Sequence, residues 1–402
     1  MTGKVILLGT LDTKGAEFKF VKDIVEGCGV ATLVVNAGVK GKPHFTPDIS
    51  NEEVARAGGS TLAELLQKDD RGFAMDVMTK GAAKIVTDLG MRKEVAGILS
   101  LGGSAGTTIG ATAMQALPVG IPKMMVSTMA SGDTRSYVGV KDICMMYSVT
   151  DISGLNTISR KILANAAFAI AGMAQGEHPA VKDDKVLLAA SMFGVTTPCV
   201  TTAREYLEQK GYEVLIFHAT GSGGLAMEEL IKSGFIKGVL DVTTTEWCDE
   251  LVGGVLSAGP HRLEAAGQKG VPQVVSVGAL DMVNFGPPET VPQQFNGRNF
   301  YPHNPTVTLM RTTVEENIEL GKIMAAKLNA STGPVVLFLP LKGVSLIDRE
   351  GQPFYGPEED KALFDTLRQN INPEKVELIE IDTDINDPAF ARAMTDKLIA
   401  ML

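Results

Sequence analysis

Residues 4–17 read KVILLGTLDTKGAE: a short apolar run, Lys4 to Leu8, passes straight into Gly9, Thr10, Asp12, Thr13 and Lys14. An apolar run closed by glycine and followed by an amphipathic stretch reads as a buried strand feeding a helix. The rhythm recurs. Residues 31–35, 97–101 and 123–126 read as further strands of the first half. Residues 185–190, 213–217, 238–242, 273–277, 335–339 and 376–381 read as strands of the second, with helical segments between them. Such alternation builds parallel sheets covered by helices on both faces. The expected fold class is α/β, with two Rossmann-like doubly wound domains and mainly parallel sheets. A long helix is predicted over residues 150–174 and an irregular segment over 287–305. The break at Gln175-Gly-Glu-His-Pro179, followed by polar Lys182 to Lys185, sets the expected domains at 1–181 and 182–402.

Bulk composition agrees. A chain of 402 residues exceeds one ordinary core. With 45% hydrophobic but only 5% aromatic residues, its cores are aliphatic. A net charge of −10 and no block of Lys or Arg argue against nucleic acid or an anionic membrane as a general partner. Cys28, Cys144, Cys199 and Cys248 are far apart, without a CxxC pair, which predicts reduced thiols and a cytoplasmic location. The first strand begins too early to leave room for a signal peptide, and no apolar run reaches the length of a membrane span, about 18 residues.

In open parallel sheets, ligands bind outside the carboxyl ends of strands. Three strands of the first half end in polar, glycine-containing turns: residues 9–14, 102–107 and 127–134. Gly102-Gly-Ser-Ala-Gly-Thr-Thr108 opens a helix, where converging amides and the helix dipole suit a phosphate. Lys14 supplies a point charge, and Asp12 a carboxylate for Mg²⁺, directly or through water. Singly, each has an ordinary explanation as a helix cap or a tight turn; three together favour an anion site. Neither GxxxxGK[ST] nor, at the first strand–helix turn, GxGxxG occurs.

The second half carries another cluster. His218-Ala-Thr-Gly-Ser-Gly-Gly224, Asp241-Val-Thr-Thr-Thr-Glu246 and Asp281 follow strands, with Arg262 at a helix start. A histidine beside carboxylates is what acid–base chemistry or metal binding requires, so His218, Glu246, Asp241 and Arg262 are the catalytic candidates. A hydrogen-bonded loop histidine accounts for His218 equally well. For His44 and His178 that loop-histidine reading is preferred, and Cys248 reads as a buried thiol.

The ordered motifs GTLDTKGAE, SLGGSAGTT, MVSTMASGDT, HATGSGG and DVTTTE resemble the N-terminal ATP-binding domain of the tomato mosaic virus resistance protein, known in bacteria as uncharacterised protein family 0261. The resemblance spans essentially the whole chain. It implies two Rossmann-like subdomains, ATP with Mg²⁺, a homodimer, and a separate TIM-barrel partner protein. The plant protein's block of a viral replication protein is not expected to transfer. Carried onto this sequence, the resemblance assigns nucleotide binding to Gly9, Thr10, Asp12, Thr13, Lys14, Gly102, Gly103, Ser104, Gly106, Thr107, Ser131 and Gly132, with Asp12 nearest the metal. Ala105 stands where the family pattern leads one to expect glycine. Three readings stay open: a protein binding ATP and Mg²⁺ for structural or regulatory ends; an ATP-dependent ligase or phosphotransferase acting on a small carboxylate or sugar-derived metabolite in the interdomain cleft; and a hydrolase or lyase built on the His218/Glu246 cluster.

Overall fold

The computed structural model describes residues 3–177 and 185–402. The boundary expected between residues 181 and 182, and His178, lie outside the described residues. The chain separates into two compact units, residues 1–180 and 181–402.

The first unit runs β1 (Lys4–Gly9), α1 (Leu11–Gly27), β2 (Thr32–Asn36), α2 (Asn51–Ala57), α3 (Leu62–Lys68), α4 (Arg71–Met91), β3 (Val95–Gly102), α5 (Ser104–Gln115), β4 (Lys123–Ser127), α6 (Arg135–Val138), β5 (Ile143–Tyr147) and α7 (Thr157–Gln175). Its strands form one parallel sheet in the order β2-β1-β3-β4-β5. Alternate residues of a strand face opposite sides. Val5 and Leu7 enter a core with Phe18 and Val21 of α1 and Leu163 and Ile170 of α7. Ile6 and Leu8 enter a second core with Val54, Val86 and Ile109 from α2, α4 and α5. Burial on both faces is why β1 reads as an unbroken apolar run. The chain leaves β1 toward β2 on one side and returns to place β3 on the other. The crevice of the sheet therefore opens at the carboxyl ends of β1 and β3.

The second unit runs β6 (Leu187–Met192), α8 (Thr197–Gln209), β7 (Glu213–His218), α9 (Ser222–Lys232), β8 (Gly238–Thr243), α10 (Glu246–Val252), α11 (Ala265–Lys269), β9 (Gln273–Gly278), β10 (Met282–Phe285), β11 (Phe300–Asn304), β12 (Val307–Arg311), α12 (Val314–Asn329), β13 (Val335–Pro340), α13 (Pro357–Asn370), β14 (Val376–Ile381) and α14 (Pro388–Met401). A parallel sheet has the order β14-β13-β9-β8-β6-β7, with its own switch point between β6 and β8. A smaller antiparallel sheet, β10-β12-β11, stands beside it.

Two Rossmann-like units with mainly parallel sheets are what the sequence predicts. Details differ. Strand β5, Ile-Cys-Met-Met-Tyr, was not expected, because it lacks the β-branched run that marks its neighbours. Helix α7 starts at Thr157, not residue 150, where Asn156 accepts the Ile158 and Ser159 amides as a cap. The segment expected to be irregular holds β11, whose Pro302 and exposed polar end hide its strand character.

Candidate functional site

At the first unit's switch point only Thr10 separates β1 from α1, so GTLDTKGAE is mostly helix and hardly a loop. The first turn is bent at Lys14, whose φ and ψ are −125° and 18°. The Leu11 amide donates to Asn36 Oδ1 at 3.1 Å, and the Thr13 and Lys14 amides donate to the Thr10 carbonyl. Much of this helix start is therefore satisfied internally.

The neighbouring helix start is different. Strand β3 ends at Gly102 and α5 begins at Ser104, with Gly103 as an extended N-cap and no side chain capping it. The Thr107 amide makes the first helical bond, to the Gly103 carbonyl at 2.8 Å. The amides of Ser104, Ala105 and Gly106 have no partner among the described residues. A Cβ on Gly102 would come within 2.9 Å of Gly106 Cα, so only small residues let the helix close this tightly over the strand end. Ala105 fits because its φ is not positive.

These residues line one cleft of about 500 Å³, with Thr10, Asp12, Thr13 and Lys14 on one side and residues 102–106 on another. Val39, Lys40, Arg71 and Asp151 complete the wall. A second, apolar cavity of about 140 Å³ adjoins it, walled by Leu65, Leu66, Met75, Met78 and Ile109. Thr10, Val39, Lys40, Arg71 and Ala105 border both cavities. Lys40 is 3.6 Å from the Asp69 carboxylate, an exposed pair. Arg71, exposed at the first position of α4, makes no ion pair or side-chain hydrogen bond among the described residues.

Of the other residues singled out from sequence, Gly9, Thr107, Ser131 and Gly132 are not part of this lining. Gly9 is buried with the Phe18 ring where its side chain would be, since a Cβ would meet Phe18 Cζ at 2.1 Å. Thr107 is buried, its hydroxyl 2.6 Å from Ser127 Oγ, and so joins β4 to α5. Ser131 and Gly132 are exposed on the turn after β4 and are not among the residues lining the cleft. Lys14 Nζ donates to the Ile152 carbonyl. Asp12 Oδ2 accepts from the Lys40 and Gly41 amides at 3.0 and 3.2 Å, while its Oδ1 is buried without a partner. No group of three or more His, Cys, Asp or Glu side chains fit to hold a metal occurs among the described residues. A Mg²⁺ ion shared with a phosphate chain would need only one or two carboxylates, and Asp12 and Asp151 line the cleft. Sequence reading missed Lys40, Arg71 and Asp151. They come from separate connections, and Arg71 follows the ordinary cap Asp70.

In the second unit Asp241, Glu246 and Arg262 are drawn together, but in the interior. Arg262, 1% exposed, donates from Nη1 and Nη2 to Asp241 at 2.5 and 2.6 Å, and from Nε to Glu246 at 2.7 Å. Glu228 lies 3.5 Å from Nη1 and accepts the Leu263 and Ala265 amides, each at 2.7 Å. Glu246 Oε1 accepts the Gly221 and Gly224 amides at 2.8 and 3.0 Å, so the start of α9 is partly capped from within. Burial opposes the Arg262 charge, yet Asp241, Glu246 and Glu228 hold its pKa well above the ordinary arginine value. Burial raises the Glu246 pKa against the pull of Arg262. His218 is exposed at the end of β7, its ring 5.4 Å from that of Phe193, and shares no side-chain hydrogen bond with the cluster. Cys248 is a buried thiol, as expected, donating to the Leu280 carbonyl.

Residues 3–179 match the N-terminal domain of an uncharacterised protein family, UPF0261, and residues 185–402 match its C-terminal domain. A UPF0261 protein of Clostridium tetani is 62% identical over all of both chains. One from Rhizobium meliloti is 47% identical over 97% of each. The ToMV resistance protein Tm-1(GCR237) of Solanum lycopersicum is 40% identical over 98% of this chain and 55% of its own, so the chain spans about half of that relative. Among solved structures, the S. aureus MnaA–UDP co-structure covers 92% of each chain at 11% identity with a TM-score of 0.21, too low to carry an argument.

Proposed function

The chain belongs to the uncharacterised protein family UPF0261, and from that premise we propose that its first unit binds ATP with Mg²⁺ at the β1/β3 switch point. One observation carries the reading: three amides at the start of α5 have no partner among the described residues, their residues line the same cleft as Lys14 and Arg71, and an apolar cavity adjoins it. Phosphates suit a helix N-terminus because its free N–H groups and dipole favour negative charge. A purine suits the apolar cavity, where burial of its faces is favourable and a sugar–phosphate chain leads out to the amides. Lys14 and Arg71 supply the countercharge, with Asp12 bracing the loop of residues 38–41.

The resemblance noted from sequence points the same way. The second unit's ionic cluster gives weaker support to an active site at Glu246, since its charges are buried and paired. A binding protein, or an enzyme whose chemistry is carried by the first-unit cleft, is the better reading.

Thermal denaturation with ATP and Mg²⁺ tests it. At about 100 times its Kd the ligand adds about 2.7 kcal/mol to stability, and the melting temperature rises accordingly. A melting curve unmoved by any nucleotide sinks the reading.

A further inference from the structure

We propose that Asp151, presented by a strained turn, is the carboxylate that receives the divalent cation accompanying a bound phosphate chain. The proposal rests on the nucleotide reading above and adds a cation-binding residue to it.

The turn lies between β5 and α7. Val149 has a φ of +60°, a left-handed conformation that β-branched residues avoid. The Thr150 amide donates to the Ser148 carbonyl at 2.6 Å, and Ser148 Oγ donates to the Thr150 carbonyl at 2.6 Å. A three-residue turn with positive φ at its centre is the rare, strained hand of the γ-turn. Packing does not offset the strain, because Val149 is 59% exposed. Thr150 adds to it: its hydroxyl is buried with no partner.

Both flanks hold the turn in place. Before it, the Ser148 amide donates to the Ser127 carbonyl at 3.1 Å. After it, Lys14 Nζ donates to the Ile152 carbonyl, the Ile152 side chain is buried, and the Gly154 amide donates to Glu17 Oε1 at 2.6 Å. Strain persists where the surroundings over-determine it, and such sites cluster where ligands bind. Here the outcome is one exposed carboxylate, Asp151, on the wall of the anion cleft, with no hydrogen bond or ion pair among the described residues.

A carboxylate in that position repels a bare phosphate. It helps only when a cation lies between the two, and Mg²⁺ is commonly held by one or two carboxylates together with phosphate oxygens. Asp12 is poorly placed for the task. One of its oxygens is engaged by two backbone amides and the other is buried. The metal role that the sequence gives Asp12 thus falls to Asp151, and Asp12 fixes the adjoining loop.

Calorimetric titration of the full chain with ATP, in Mg²⁺ and in EDTA, tests this. Wild type should bind ATP about tenfold more tightly with Mg²⁺, the gain expected of one added charge-assisted contact. In Asp151→Asn the ratio should collapse toward one, largely because metal-free ATP binds better once the negative charge is gone. Asp12→Asn should keep the ratio and melt at a lower temperature. Val149→Gly frees the turn, so it should melt at a higher temperature with a reduced ratio. Full Mg²⁺ dependence in Asp151→Asn or in Val149→Gly overturns the proposal, as does wild-type binding that is indifferent to Mg²⁺. Absence of ATP binding under both conditions removes the nucleotide reading itself, and this proposal with it.

Discussion

Gly103 is where fold and ligand make opposite demands. Its φ of −79° suits any residue, and a Cβ there would find only Thr128 Oγ1, at 3.7 Å. Aspartate would be a better N-cap, since its carboxylate accepts the amides that α5 leaves free. Selection for stability alone would thus favour a side chain here; an anion site requires its absence. Gly103→Asp is expected to raise stability by about 0.5–1 kcal/mol, read from the denaturant midpoint, since it fills the cradle with a covalent anion. Arg71 makes a complementary case. It is exposed and unpaired among the described residues, so Arg71→Ala should leave the melting temperature within a degree or so. It should nonetheless weaken ATP binding about tenfold if the guanidinium meets a phosphate. Equal affinity in a binding assay would remove Arg71 from the site.

At the scale of elements, the starts of α5 and α9 look alike in sequence and behave differently. Both follow a strand and are rich in Gly and Ser. Glu246 takes the Gly224 amide of α9 and the Gly221 amide just before it, leaving those of Ser222 and Gly223 without a partner among the described residues, whereas at α5 the amides of Ser104, Ala105 and Gly106 all lack one. Sequence could not separate the two cases, because the carboxylate that caps α9 comes from a different strand end, 22 residues beyond Gly224. What was legible was local: β1 by its apolar run, the phosphate-type turn by its glycines. What was not legible depended on chain crossings that only the fold supplies. Asp151 and Arg71 reach the cleft that way, as does Arg262 its three carboxylates. Replacing Arg262 by Met leaves buried negative charge without its partner and should cost about 3–5 kcal/mol, measured by urea denaturation. A loss below about 1 kcal/mol would show the cluster to be better solvated than its burial indicates.

Across the whole molecule, the carboxyls whose pKa burial raises lie in the second unit among the described residues. Burial raises Asp249 to about 7 and Asp281 to about 6, and it pushes Asp348, beside Arg311, up to about 10. A carboxyl whose pKa is higher in the folded state holds its proton more firmly there. Its contribution to stability is complete below the unfolded pKa, near 4, and is lost as pH rises through the folded value. Asp249 therefore makes the protein less stable between about pH 4 and pH 7, by on the order of 2–4 kcal/mol. Asp249→Asn should flatten the stability profile in that window, seen in urea midpoints at pH 4.5 and 7.5; an unchanged slope would contradict the assignment. The first-unit cleft is lined instead by Asp12, Lys14, Lys40, Arg71 and Asp151 together with the start of α5. The most direct test of the account is calorimetric titration of the intact chain with ATP and Mg²⁺, wild type against Gly103→Asp. The account predicts one saturable site in the wild type and no binding heat in the folded, equally stable or more stable variant. Undiminished binding in Gly103→Asp, or none in the wild type, would contradict it.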